Sequence, residues 1–178
     1  MIAWKKRSFL SALIAGLALG LGLPHAGAVI FYSSGNPDFN STAPGGAYAG
    51  SGWQWTGGYQ GGGATIVSPN QILTADHLGY TGTAGLSYQA KFYDALSAYN
   101  VPGTDLLLVD VDTSVHGDFT SWAPLYSATD EVGKDVVVVG RGATRGAEVR
   151  EAGDNELKGW KYLGNRKQRW GTNTIEKY

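Results

Sequence analysis

A histidine and an aspartate standing 28 positions apart, His77 and Asp105, are the two side chains here best suited to moving a proton. An imidazole that takes a proton from a hydroxyl and hands it on needs a carboxylate at its other ring nitrogen. The carboxylate fixes the tautomer and stabilises the charged ring. His77 closes the run Gln71-Ile72-Leu73-Thr74-Ala75-Asp76, and Asp105 leads into Leu106-Leu107-Leu108. A carboxylate at the mouth of an apolar strand is placed to reach a histidine across a barrel floor, although on sequence alone it also reads as a turn residue after Pro102-Gly103. Asp110 and Asp112 alternate with Val109 and Val111 and read as one solvent-facing strand edge, which leaves Asp105 as the partner.

Other chemistries fare worse. There is no cysteine, so a thiol nucleophile and cysteine-based zinc sites are excluded. His77 with Asp76 or Asp105 makes a poor metal set, because the other two histidines, His25 and His116, lie in an apolar leader and a polar loop. Gly140-Arg141-Gly142-Ala143-Thr144-Arg145-Gly146 follows four valines as a phosphate loop would. Its spacing is not a dinucleotide fingerprint, and the charged stretch after it is too short for the helix such a loop needs, so it reads as a turn between barrel strands. Trp53 and Trp55, two apart in an expected strand, share one face and read as packing aromatics instead of a sugar platform.

The elements that must hold these residues are short strands. Trp53 to Thr56, Ala64 to Val67, Gln71 to Ala75, Leu86 to Phe92, Leu106 to Val111 and Val136 to Val139 are apolar or alternating runs bounded by Gly, Pro, Asp or Asn. Ser68-Pro69-Asn70 has the chemistry of a turn. Tyr93 to Tyr99 offers at most one helical turn, and no segment sustains a helical period. The pattern is that of an all-β barrel or sandwich. The charged stretch from Glu148 to Lys161 reads as a solvated loop, and residues 29–52, rich in Ser, Asn, Pro and Gly, as an arm draped over the domain. Asn40-Ser41-Thr42 matches a glycosylation sequon, a short pattern with little weight of its own.

Lys5, Lys6 and Arg7 precede an apolar run from Phe9 to Leu23 that leads to Ala26-Gly27-Ala28. This order predicts a secretory signal peptide over residues 1–28, cleaved after Ala28. The run is shorter than the roughly 20 apolar residues of a membrane span, so no retained span is expected. Cleavage would leave 150 residues, enough for one domain with a sizeable core, and would take the net charge from −1 to −4. That balance is wrong for nucleic acid, which wants a basic surface. The 27 glycines, sparse charge and many Trp and Tyr side chains favour strands and tight turns over long helices.

The passage from Gly63 through Ser68-Pro69-Asn70 to Leu73-Thr74-Ala75-Asp76-His77 resembles the strand, turn, strand and histidine motif of trypsin-like serine peptidases. Gly103-Thr104-Asp105-Leu106-Leu107-Leu108 resembles their aspartate motif. Ser121-Trp122-Ala123-Pro124-Leu125-Tyr126, Glu131-Val132-Gly133-Lys134, Gly140-Arg141-Gly142 and Arg169-Trp170-Gly171-Thr172-Asn173 follow in the order of the exported bacterial type, over roughly Gly52 to Asn173. Two positions depart from the pattern: Asp76 replaces a small residue and is expected to face outward, and Leu78 replaces a frequent cysteine.

The resemblance implies a chymotrypsin-like double β-barrel over residues 53–178, with the first barrel complete at about 53–130 and the second only begun at about 131–178. It implies a serine-type endopeptidase acting on protein or peptide substrates without a cofactor. His77 would be general base and acid, and Asp105 its orienter. No Gly-Asp-Ser-Gly-Gly segment follows Asp105, so the nucleophile, the oxyanion amides and most of the specificity pocket are expected beyond Tyr178, and the chain is expected to be inactive by itself. The rival expectation is a secreted, non-catalytic binding protein that keeps one barrel.

Overall fold

The computed structural model describes residues 34–36 and 38–176, and the expected signal peptide lies outside them. Among the described residues eight strands follow one another: β1 (Thr56–Tyr59), β2 (Gly62–Ile66), β3 (Gln71–Ala75), β4 (Gly85–Tyr88), β5 (Lys91–Val101), β6 (Leu106–Val111), β7 (Asp135–Arg150) and β8 (Leu157–Thr174). The first six close into a barrel in the order β1-β2-β3-β6-β5-β4, and β7 and β8 form a separate two-stranded sheet. The all-β expectation holds, and a closed six-stranded barrel followed by a second, two-stranded sheet is consistent with a chymotrypsin-like architecture. Among the described residues no helix is long and apolar enough to cross a membrane.

The barrel is a Greek key. β4, β5 and β6 form an antiparallel meander, and β3 lies beside β6, with Ala75 opposite Leu106 and Gln71 opposite Asp110. Closure comes from β4 pairing with β1 at Gly58↔Ser87 and Tyr59↔Leu86. Alternation decides what faces inward: Ala64 and Ile66, Ile72 and Thr74, then Leu107, Val109 and Val111 are buried. Thr74 is tolerated inside because its hydroxyl donates to the Gly63 carbonyl at 2.8 Å. Phe119, in the loop after β6, packs against Tyr93 and Tyr88, while Tyr59 donates its hydroxyl to the Gly79 carbonyl at 3.1 Å. Each buried aliphatic side chain contributes about 1.5–3 kcal/mol of burial free energy.

Several sequence expectations give way. Leu86 to Phe92 is two strands, because Gln89 and Ala90 take φ of 48° and 61° and turn the chain between Tyr88 and Lys91. A two-residue turn with both central φ positive matches the right-handed twist of its strands, and no glycine advertises it. Tyr93 to Tyr99 is interior to β5, not helical. Trp53–Trp55 is a 3-10 turn held by the Trp55 amide on the Gly52 carbonyl, so its tryptophans do not share a strand face. Gly140 to Gly146 is the middle of β7, not a turn, and the charged stretch from Glu148 to Lys161 is the tip of the β7–β8 ribbon. Its ladder, interrupted by register shifts at Gly142/Thr144 and Arg145/Glu148, supplies the continuity that the glycines hid.

The arm is pinned to β8. Asn40 and Trp170 exchange backbone and side-chain bonds of 3.2 and 3.0 Å, the Trp170 indole donates to the Thr42 carbonyl at 2.9 Å, and Lys167 pairs with Asp38. The Asn40 amide nitrogen is thus spent inside the fold.

Two substitutions test this description by denaturant unfolding. Ile72→Ala, in the sealed barrel core, should lower stability by about 2–5 kcal/mol. Ala90→Gly should raise it by about 1 kcal/mol, because glycine removes the left-handed penalty that alanine carries there. Destabilisation by Ala90→Gly would contradict the turn.

Candidate active site

β3 ends at Ala75 and the chain next enters the barrel at Gly85, three positions further along the sheet order with β6 and β5 between, so the connection passes the start of β6. His77 sits in the first turn of that connection, a 3-10 turn over Asp76–Leu78. The β3–β6 ladder extends one more step, the Asp76 amide donating to the Asp105 carbonyl at 3.1 Å. Asp105 is therefore beside His77 on the neighbouring strand, not across a barrel floor. Strand pairing collapses the 28-residue separation to contact.

The carboxylate holds the histidine twice. Asp105 Oδ1 accepts the His77 backbone N–H at 2.9 Å, and Oδ2 lies 2.6 Å from Nδ1 of the ring. The side-chain bond to His77, then the backbone bond from it, hold the Asp105 carboxyl below the usual carboxylate range. An ionised carboxylate only accepts, so the neutral ring carries its proton on Nδ1 and leaves Nε2 as the unprotonated nitrogen. That is the tautomer a general base needs. The two side chains are 45% and 60% exposed, so water screens their attraction and the pair fixes geometry more than it stabilises the fold.

The neighbouring acids are placed differently. The Asp76 carboxylate accepts from the Asn100 side-chain amide, an arrangement the sequence did not signal. Asp110 is not a free solvent-facing edge: it accepts from Ser97 Oγ at 2.5 Å and from Gln71 Nε2 at 2.9 Å, forming a polar row across β5, β6 and β3. Those bonds, from Ser97 first and Gln71 second, hold its carboxyl low. Asp112 caps the following turn by accepting the Ser114 amide at 2.8 Å. Among the described residues Glu151, Asp154 and Glu156 are close enough to share a cation, but Lys158 already bridges Glu151 and Glu156 at 2.8 and 2.5 Å.

No protein-family model and no curated protein matches the chain. Among solved structures it is similar to one described as the crystal structure of Rv3671c protease, inactive form, with a TM-score of 0.42 and 17% sequence identity. The likeness covers 65% of this chain, which spans 66% of the length of that one.

The depressed Asp105 pKa has a direction in pH. A carboxyl lowered on folding contributes stability above its unfolded value, and that contribution is lost as pH falls through the folded value. Carbon-detected NMR titration should place the Asp105 midpoint below about 3.9, and His77→Ala should raise it toward that ordinary value. An unchanged midpoint in His77→Ala would show that the histidine does not hold the carboxylate.

Proposed function

We propose that this protein carries the histidine and aspartate of an exported trypsin-like serine endopeptidase, whose nucleophilic serine is supplied by polypeptide beyond Tyr178. The observation that carries the reading is the double grip of Asp105 on the backbone and the Nδ1 of His77. In this mechanism His77 Nε2 takes the proton of the serine hydroxyl as it attacks the scissile carbonyl, then delivers it to the leaving amine. Asp105 keeps the ring in register and balances its transient charge. Backbone amides beside the serine stabilise the oxyanion, and no cofactor enters.

The ribbon supports the incomplete second barrel. Among the described residues β7 and β8 pair only with each other as strands, so each leaves amides and carbonyls without a neighbouring strand along its other edge, apart from those of Trp170, which the arm takes. Val138, Val149, Tyr162 and Leu163 are exposed on it. Further strands joining those edges, from about residue 131 onward, would complete the fold and build a wall over His77 and Asp105. A signal peptide over residues 1–28 would carry the activity outside the cytoplasm.

The reading divides cleanly in an assay. The chain ending at Tyr178 should turn over no member of a broad peptide library. The product of the frame read on past the Tyr178 codon should cleave it and be labelled by a fluorophosphonate, with kcat falling about 10⁴–10⁶-fold in His77→Ala. A stop codon directly after Tyr178, or cleavage that survives His77→Ala, would sink the proposal and leave a secreted binding protein as the better account.

A further inference from the structure

A cleft of about 400 Å³ opens where the ribbon meets the barrel, lined by Trp53, Gln54, Tyr88, Gln89, Arg141 and Gln168 together with the β1 glycines Gly57 and Gly58. Arg141 comes from the middle of β7 and lies on the outer face of β1 and β2. The guanidinium lies over Gly58, where any Cβ would stand only 3.1 Å from its Nε and Cζ, and its own Cβ rests near Gly63. Glycine at position 58 is what lets the guanidinium come down onto the sheet.

The chemistry of that guanidinium is unfinished. Nε is sealed from solvent and meets no acceptor among the described residues. Among the described residues no acid lines the cleft. Four other cations are matched: Lys134 sits on Asp130, Arg150 on Glu148, Lys158 on Glu151 and Lys167 on Asp38. The cleft's amide donors are also spent internally, Gln168 on the Thr56 hydroxyl at 2.7 Å and Gln89 on the Tyr88 hydroxyl at 2.9 Å, while Tyr88 donates to the Gln54 carbonyl at 2.6 Å. A half-buried cation held without a counter-charge is costly unless something supplies one.

We propose that this cleft is a carboxylate-binding site and that Arg141 is its anchoring ligand. The planar fork of a guanidinium matches two carboxylate oxygens. One positive charge suits one negative charge, and the Trp53 and Tyr88 side chains offer apolar area for the group bearing the acid. A phosphate dianion would want a second cation, which the lining lacks. The cleft is of a size with small-ligand sites and takes either a peptide's terminal carboxylate or an acidic side chain from another polypeptide. This site stands apart from the peptidase reading and does not depend on it.

The test follows the Arg141 Nε–Hε cross-peak of the full chain by NMR during four titrations: N-acetyl-alanyl-alanine as free acid, the same peptide as its C-terminal amide, N-acetyl-aspartate amide, and inorganic phosphate. A saturable shift with the free acid, at least tenfold tighter than with the amide, identifies a terminal carboxylate. The same response to N-acetyl-aspartate amide identifies a side-chain acid. Read on the indole N–H cross-peak of Trp53, which the variants keep, Arg141→Lys should weaken either response at least tenfold, and Arg141→Gln should abolish it. No shift with either acid, equal shifts with acid and amide, or a response to phosphate alone would overturn the proposal. Should Arg141→Gln fail to fold, the cross-peak of the unaltered protein still decides the matter.

Discussion

The antiparallel pairing of β3 with β6 is the contact on which the site depends. It joins strands that are not consecutive, sets Ala75 against Leu106, and leaves the next residues of both chains side by side at the barrel rim. A slip of one residue would send Ile72, Leu107 and Val109 to the outside, so the hydrophobic core itself enforces the register. His77 and Asp105 inherit their alignment from that core. Their own attraction, screened by water, is a consequence of placement and not its cause.

The same logic separates the two sheets. In the barrel every strand has two hydrogen-bonded neighbours, and the inward residues from Tyr59 to Phe119 form one cluster. Among the described residues the ribbon has one strand pairing, with only the arm at Trp170 on its outer edges, and it touches the barrel where β7 crosses β2. A two-stranded sheet with few buried apolar residues is marginal by itself, so its order leans on the barrel and on the arm bound to Trp170. Arg141 lies at that seam. A carboxylate bound there would tie ribbon and barrel together through a group that neither supplies.

Much of the barrel was legible from alternation and turn chemistry: Gln71 to Ala75 and Leu106 to Val111 are strands with the bounds expected. The pairing of His77 with Asp105 was legible because each residue sits at the end of such a strand. What escaped was set by tertiary context. The Gln89-Ala90 turn uses side chains that usually avoid positive φ, so its sequence carries no mark. Trp53 and Trp55 obeyed a local 3-10 turn over an apparent two-residue period. β7 continues through Gly140, Gly142 and Gly146 because β8 is there to pair with it, and a glycine-rich stretch read alone looks like a break. The Asp110 network requires knowing that Ser97, Asp110 and Gln71 lie in one cross-strand row.

The most direct test of the account is the protonation of the His77 ring, read by long-range ¹H–¹⁵N NMR above the pH at which the imidazole is charged. With Asp105 on one side of the ring, the proton should reside on Nδ1 and Nε2 should show the shift of an unprotonated nitrogen, with Asp105→Asn abolishing that preference. A ring protonated on Nε2, or a tautomer mixture that Asp105→Asn leaves unchanged, would mean that the β3–β6 pairing brings the two residues together without making a base.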